Sequence, residues 1–363
     1  MDSLTFLYIL IAVLIFCVII IIHELGHFAA AKLCGIKVNE FSLGMGPKLF
    51  SWGRGETKYS LRALPVGGFV SMEGEDDSSS DPRAFRNKKV WQRLIVVLAG
   101  AVMNLVLGFL ILIILTASSD VIISTTVAEF YPTVDSETGE STPALSNSTG
   151  LMEGDRIVRV NGMRIYTDTD ISYQFQVDED AVFDMTVIRD GQRVELPAVE
   201  FRRSVLEDGS SYIHIDFSVV GERVTPASVI SYSSGKFVSV ARIIWLSLTD
   251  LIKGKYSIND LLGPVGIVGA IGDVVSSTQE GIPVSQMLQD LFSFVVFITI
   301  NVGIFNLLPV PALDGARALF LVIEAIRRKP IKPEHEGLVH FIGMAALLIV
   351  MLLVTVSDIS ELF

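Results

Sequence analysis

Cysteines and charged residues are few in this chain, and its first residues lack a basic segment. The only cysteines are Cys17 and Cys34, both in or beside the first apolar run, so no disulfide framework is implied. Charged residues make up 19% of the chain, and the net charge of −12 argues against nucleic acid as a partner. Because the first residues lack a basic region and the apolar run leads straight into a polar motif, we expect an uncleaved anchor.

Hydrophobic residues are abundant instead. They form 50% of the chain, and the mean hydropathy is +0.54, far above that of an ordinary soluble domain. We therefore predict a polytopic α-helical membrane protein in contact with the lipid bilayer. The expected architecture has about four transmembrane helices, a membrane-associated β-region and an inserted extracytoplasmic β-rich domain.

The first hydrocarbon run contains ionisable side chains at membrane depth. Residues four apart share a helix face, so His23 and His27 can bind one Zn²⁺, with Glu24 placed to polarise a water. This is the HExxH pattern of two metal ligands and a general base. The alternative is a pair of histidines packed in a helix bundle, but burying these groups in lipid without a metal or partner costs several kcal/mol.

A second polar site occurs in the segment NLLPVPALDG near the C-terminus. Pro309 and Pro311 break the helix, which leaves Asp314 at the start of a new helical stretch. A broken helix at membrane depth is tolerated only where it is buried in protein or lines a cavity. Asp314 is therefore the candidate third ligand, and the alternative is an N-cap of the new stretch.

The regions between the apolar runs have β-like patterns. Alternation from Lys58 to Val70, bounded by Pro and Gly, predicts a β-hairpin, which either adds an extended substrate segment as a strand or is a plain connector. In the second apolar run, Asn104 either hydrogen-bonds across helices near the site or is structural. The segment from Gly150 to Gly162, with a helix-like stretch near 169–176, resembles a PDZ domain, which binds peptides by β-augmentation.

Basic residues set the expected orientation. They exceed acids in the loop 33–91, and Arg327, Arg328, Lys329 and Lys332 form a second cluster, so both loops are expected in the cytoplasm. Residues 226–255 are amphipathic and predict an interfacial helix, with a true span as the alternative. His335 and His340 are expected at the interface rather than on the metal.

The predicted segments follow from these patterns. In order they are a first transmembrane helix with HExxH (1–33), a cytoplasmic-side loop with the β-hairpin (34–91), a second transmembrane helix (92–118), the PDZ-like domain (119–224), an amphipathic or interfacial linker (225–285), a third transmembrane helix with the LDG motif (286–328), and a basic loop with a fourth transmembrane helix (329–363).

HELGH, a PDZ-like insert and NLLPVPALDG, in this order, resemble the site-2 protease family of intramembrane zinc metalloproteases, in its bacterial RseP-type (regulator of sigma-E protease) branch. The resemblance implies zinc ligands His23, His27 and Asp314, with Glu24 as the catalytic acid and base. It implies that Asn306 holds the substrate backbone or the developing oxyanion. It also implies that a membrane-associated loop receives substrate, formed by Pro65, Val66, Gly67, Gly68, Phe69 and Val70. Ala316 and Ala101 depart from the family pattern without removing a ligand.

The function implied is cleavage of single-pass membrane proteins within the bilayer, in regulated intramembrane proteolysis. Anti-sigma factors and remnant signal peptides are the expected substrate classes. The expected location is the bacterial cytoplasmic membrane, with the active site toward the cytoplasm and the PDZ-like domain outside. A membrane metal transporter and a catalytically silent PDZ scaffold are the alternatives, although a transporter needs neither Glu24 nor a peptide-binding insert.

Overall fold

The computed structural model describes residues 3–53, 55–75, 79–134, 141–178, 180–205, 211–255, 261–276, 281–331 and 333–361. In chain order the helices are α1 (Ser3–Leu33), α2 (Val90–Ser118), α3 (Leu145–Ser148), α4 (Asp168–Val177), α5 (Pro226–Ile252), α6 (Pro264–Ser276), α7 (Val284–Leu307), α8 (Asp314–Arg327) and α9 (Pro333–Glu361). The strands are β1 (Val38–Trp52), β2 (Lys58–Met72), β3 (Val121–Phe130), β4 (Thr133–Val134), β5 (Ser141–Thr142), β6 (Arg156–Val160), β7 (Met163–Arg164), β8 (Val182–Arg189), β9 (Gln192–Glu200), β10 (Arg202–Val205), β11 (Ser211–His214) and β12 (Phe217–Arg223).

Within the described ranges, four helical segments are long and apolar enough to cross a membrane. They are Phe6–Leu33, Val90–Ser118, Val284–Leu307 and Glu334–Ser360, which lie in α1, α2, α7 and α9. Their number agrees with the sequence prediction. Helix α5 is not among them, and α6 is a shorter apolar helix.

The chain forms two compact units. One comprises residues 1–111 and 248–363, and the other comprises residues 112–247. The first unit has a core where the end of α1 and the start of α2 meet the β-hairpin and α8. That core is made of Ala30, Ala31, Ile36, Val38, Val70, Met72, Phe85, Val96, Val97, Ala318 and Leu321.

The β-hairpin is longer than the sequence predicts and is folded over on itself. Phe41 of β1 pairs with Val70 on one side and with Tyr59 on the other. The segments therefore lie in the order 48–52, 58–62, 38–43, 68–72, and residues 68–72 pair with β1 on one side only. Gly44 and Gly46 interrupt the alternation of β1 with left-handed φ angles of +81° and +83°, which hides this strand from pattern reading.

A partly buried carboxylate holds the folded hairpin together. Glu40 accepts hydrogen bonds from Lys48 at 2.8 Å, Ser60 at 2.6 Å and Arg62 at 2.9 Å. Burial acts to raise the pKa of Glu40, but these donors outweigh it and lower the pKa to about 2. The hairpin is thus tied by a charged cluster that links three of its segments.

The third apolar run is divided into two helices, as the prolines predict. Helix α7 ends at Leu307, and α8 begins at Asp314. Pro309 and Pro311 supply no backbone N–H to continue a helix. The predicted segment 286–328 thus contains most of α7 and all of α8.

The second unit is a β-rich domain. Its main sheet has the order β12-β3-β6-β8-β9, with β7 paired to β6. The predicted turns occur at Asn161–Gly162 and Asp190–Gly191, where all four residues have positive φ, as tight hairpins require. The predicted short helix is α4, with a capping box between Thr167 and Asp170.

Helix α5 is fastened to this domain by buried polar contacts. Asp170, which is fully buried, accepts hydrogen bonds from Arg242 at 2.5 Å and from Ser239 at 2.8 Å. His214 contacts Ser204 at 2.7 Å, as expected for a histidine with a structural role. Residues 135–140 of this domain lie outside the described part of the chain.

Candidate metal centre

The HExxH residues lie on an uninterrupted part of α1. Because His23 and His27 are one helical turn apart, their Nε2 atoms approach to 3.1 Å. Their side chains are 12% and 11% exposed. Two imidazoles with converging nitrogens in a mostly buried position are the arrangement expected of metal ligands.

Asp314 closes the third side of the same site. As the first residue of α8, it places Oδ2 3.0 Å from Nε2 of His23 and 3.2 Å from Nε2 of His27. Among the described residues, His23, His27 and Asp314 are the cluster of His, Cys, Asp and Glu side chains that could hold a metal ion. The structure thus brings together two helices that are far apart in the sequence.

The donor set fits zinc. The three donor atoms are separated by 3.0, 3.1 and 3.2 Å, close to the edge of about 3.3 Å in a tetrahedron with bonds of about 2.0 Å. Oδ2 of Asp314 is buried without a hydrogen-bond donor from the described residues, which a cation would satisfy. Two imidazoles and one carboxylate leave a fourth position open for water, as in catalytic zinc sites.

Helix α2 supplies partners for the outer nitrogens of both imidazoles. Nδ1 of His27 lies 2.8 Å from the Val96 carbonyl oxygen, and Nδ1 of His23 lies 3.3 Å from Nδ2 of Asn104. When Nε2 binds a metal, Nδ1 carries the proton and needs an acceptor. The Asn104 side-chain amide, which is fully buried with Oδ1 unpaired in the described structure, provides that acceptor when it is turned over.

Small residues let α1 and α2 approach closely at this point. A Cβ added to Gly100 would lie 2.3 Å from Nε2 of His27, and one added to Gly26 would lie 2.4 Å from the Ala99 carbonyl oxygen. The glycines are therefore required by space rather than by backbone conformation. Gly26 thus serves the close packing of the two helices.

A cavity of about 450 Å³ adjoins the three candidate ligands. Glu24 lines it, and so does the hairpin edge at residues 68–72, which is unpaired among the described residues. The lining residues are His23, Glu24, His27, Gly68, Phe69, Val70, Ser71, Met72, Glu75, Val96, Val97, Asp314 and Arg317. The Glu24 carboxylate, the three candidate ligands and this strand edge thus face one space.

An ion pair on the cavity wall was not predicted from the sequence. Arg317, one turn after Asp314 on α8, forms a hydrogen-bonded ion pair with Glu75, which follows β2. Both residues also line a second cavity of about 560 Å³. The sequence signal is an arginine placed three residues after the candidate ligand.

The other predicted site residues differ in their relation to the cavity. Asn306 donates a hydrogen bond to the Val302 carbonyl oxygen at 3.0 Å within α7, and it does not line the cavity. Of the predicted substrate loop, Gly68, Phe69 and Val70 line the cavity, whereas Gly67 packs against Met45. The side chains of Pro65 and Val66, and all of Lys332, lie outside the described part of the chain.

Comparison with known proteins identifies the class. The model of a family described as Peptidase family M50 matches residues 11–350. The regulator of sigma-W protease RasP of Bacillus subtilis is 31% identical over 97% of this chain and 98% of its own length. The zinc metalloprotease RasP of Bacillus licheniformis is also 31% identical, with the same coverage. A Clostridium acetobutylicum protein with a provisional zinc metalloprotease name is 35% identical over 98% of both chains.

The fold and these matches define a multi-pass membrane zinc metalloprotease. Its helices, its donor set and the family match agree on this class. The chain belongs to peptidase family M50, the site-2 protease family.

Proposed function

We propose that the protein cleaves transmembrane segments of single-pass membrane proteins with zinc held by His23, His27 and Asp314. The observation that carries this proposal is the convergence of three donor atoms within 3.2 Å of one another beside Glu24. A packed histidine pair would not require a carboxylate oxygen at the same point. The donor set leaves room for water, which a hydrolase needs.

Glu24 is the proposed proton carrier. Bound zinc supplies a Lewis acid that activates water near neutral pH. Glu24 accepts the proton of the attacking water and later returns a proton to the leaving amine nitrogen. Asn104 and the Val96 carbonyl keep the two imidazoles in the required tautomer and orientation.

The strand edge at 68–72 is the proposed docking place for substrate. A helical peptide bond is shielded by its own hydrogen bonds, so a substrate must be extended before attack. Residues 68–72 have an unpaired edge within the described structure and line the cavity beside Glu24. An extended substrate segment added to this edge would pass the proposed metal centre as one more strand.

The proposed role of Asn306 is to contact the substrate backbone or the developing oxyanion. Its amide is engaged within α7 and lies outside the cavity lining. A contact with substrate would therefore need a change of side-chain rotamer. The family resemblance is the support for this assignment.

The proposed substrates are anti-sigma factors, with remnant signal peptides as a second class. The name of the Bacillus subtilis relative describes it as a regulator of sigma-W, which supports the first class. The domain of residues 119–224 is proposed to be PDZ-like and extracytoplasmic, where it would exclude bulky untrimmed substrates. The basic loops support an active site toward the cytoplasm of a bacterial cell.

Two variants separate the protease from a metal transporter and from a silent scaffold. We expect Glu24→Gln to retain zinc and to lose cleavage of a transmembrane reporter in reconstituted membranes, because it removes the proton carrier alone. Asp314→Asn should weaken zinc binding, because it removes an anionic ligand. Normal reporter cleavage by Glu24→Gln would refute the protease mechanism, and zinc-independent partner binding without cleavage would favour the scaffold.

A further inference from the structure

The short loop between α7 and α8 determines where Asp314 lies. Within this loop, the Val310 N–H donates to the Leu308 carbonyl at 2.7 Å, and the Leu313 N–H donates to the Val310 carbonyl at 3.1 Å. The two prolines have no N–H to donate. The remaining donor is the N–H of Ala312, two residues before Asp314.

Ala312 has a backbone conformation that needs support. Its φ angle is +82°, in the left-handed region that a residue with a Cβ rarely adopts. Its N–H donates a 3.0 Å hydrogen bond to Nδ1 of His340, on α9. Something outside the loop therefore holds its least favourable residue.

The same face of α9 packs against the loop one turn later. Gly343, three residues after His340, lies so close to Pro311 that an added Cβ would be 2.3 Å from the Pro311 Cβ. The ring of Phe320, on α8, meets His340 edge-to-face at 5.8 Å between centroids. His340 thus contacts both the loop and the helix that begins with Asp314.

The direction of this hydrogen bond determines the tautomer of the His340 imidazole. Because Nδ1 accepts a hydrogen bond from the Ala312 N–H, the hydrogen of the neutral ring lies on Nε2. Nε2 is buried and makes no hydrogen bond within the described residues. The hydrogen bond to Ala312 is therefore the one that orients this ring in the described structure.

We propose that His340 is a positioning residue that holds the Ala312 backbone, and so the loop that presents Asp314, in its metal-binding geometry. This inference rests on the proposed metal site. It gives the last transmembrane helix a part in the site, although that helix contributes no ligand. The sequence prediction had placed His340 at the membrane interface without a role.

Two substitutions at position 340 separate hydrogen bonding from packing. His340→Phe keeps an aromatic ring against Phe320 but removes the acceptor. His340→Asn loses the ring but places Oδ1 near the position of Nδ1. His335→Phe is the matched control, because His335 is exposed on the first turn of the same helix.

Zinc affinity of the full-length protein in detergent or nanodiscs is measured by chelator competition, together with the visible spectrum of the Co²⁺-substituted form. We expect His340→Phe to weaken zinc binding about 10-fold, at the lower end of effects seen for residues behind metal ligands. It should also shift the Co²⁺ bands. His340→Asn and His335→Phe should stay close to the wild type. Unchanged affinity in His340→Phe, or equal damage in His340→Asn, would overturn the proposal.

A second measurement needs no variant. The Ala312 amide should exchange slowly with deuterium in the wild-type protein, because His340 accepts its hydrogen bond; exchange at the rate of an open amide would also overturn the proposal. A wild-type protein that binds no zinc would instead refute the proposed metal site. Zinc binding that is insensitive to His340→Phe would refute the inference alone.

Discussion

At the scale of single residues, the candidate ligands and Asn104 carry a signal in the sequence, whereas the Val96 and His340 contacts do not. His23 and His27 stand out because charge is expensive in a hydrocarbon run, and Asp314 stands out because two prolines free its helix start. The Val96 carbonyl carries no residue-type signal, since every residue has one. The contact of His340 with Ala312 depends on a backbone φ angle that alanine rarely adopts, so no sequence pattern predicts it.

Asn104 is expected to support the metal through His23. Asn104→Leu removes the acceptor for Nδ1, and we expect zinc affinity to fall about 10- to 100-fold. Asn104→Asp keeps an acceptor and should retain most of the zinc affinity. If Asn104 served packing alone, Asn104→Leu would instead retain more zinc affinity than Asn104→Asp. Chelator competition measures both, with Asn301→Leu on α7 as the control. Wild-type affinity in Asn104→Leu would show that the amide has no such role.

At the scale of elements, the long helices were predictable because length and hydropathy define them. The turns at Asn161–Gly162 and Asp190–Gly191 followed from local turn chemistry. The β-hairpin was predicted only from Lys58, because glycines with positive φ and bulged pairing break the alternation of β1. Its doubled pairing depends on contacts between residues distant in the chain, which alternation alone does not encode.

The edge at 68–72 is expected to contact substrate directly. In a background without Cys17 and Cys34, Ser71→Cys should form a disulfide with a cysteine placed near the scissile bond of an inactive-enzyme complex. Ser51→Cys, exposed in the segment at the opposite end of the hairpin, should not. Mass spectrometry identifies the linked peptides. Equal linking at both positions would contradict strand addition at this edge.

At the scale of the whole molecule, the site joins the two ends of the chain. The HExxH motif lies in the first transmembrane helix, and Asp314 follows the third. The sequence does not give the distance between them in space. Their convergence was therefore a hypothesis based only on the ligand chemistry of the residues. The proposed orientation in the membrane likewise rests on charge counts rather than on packing.

Sidedness is testable by labelling with an impermeant maleimide in the cysteine-free background. Arg193→Cys, in the domain of 119–224, should react in intact cells. Lys329→Cys, in the second basic loop, should react only after permeabilisation, because basic loops remain in the cytoplasm. The opposite labelling pattern would invert the proposed topology.

X-ray absorption at the zinc edge of the purified full-length protein tests the central claim most directly. The account predicts one zinc per chain, with two imidazole nitrogens and oxygen ligands at about 2.0–2.2 Å. Asp314→Ala should disturb this shell, because it removes one of the three proposed protein donors. A sulfur ligand at about 2.3 Å, from Cys17 or Cys34, or a zinc shell that is unchanged by Asp314→Ala, would contradict the account.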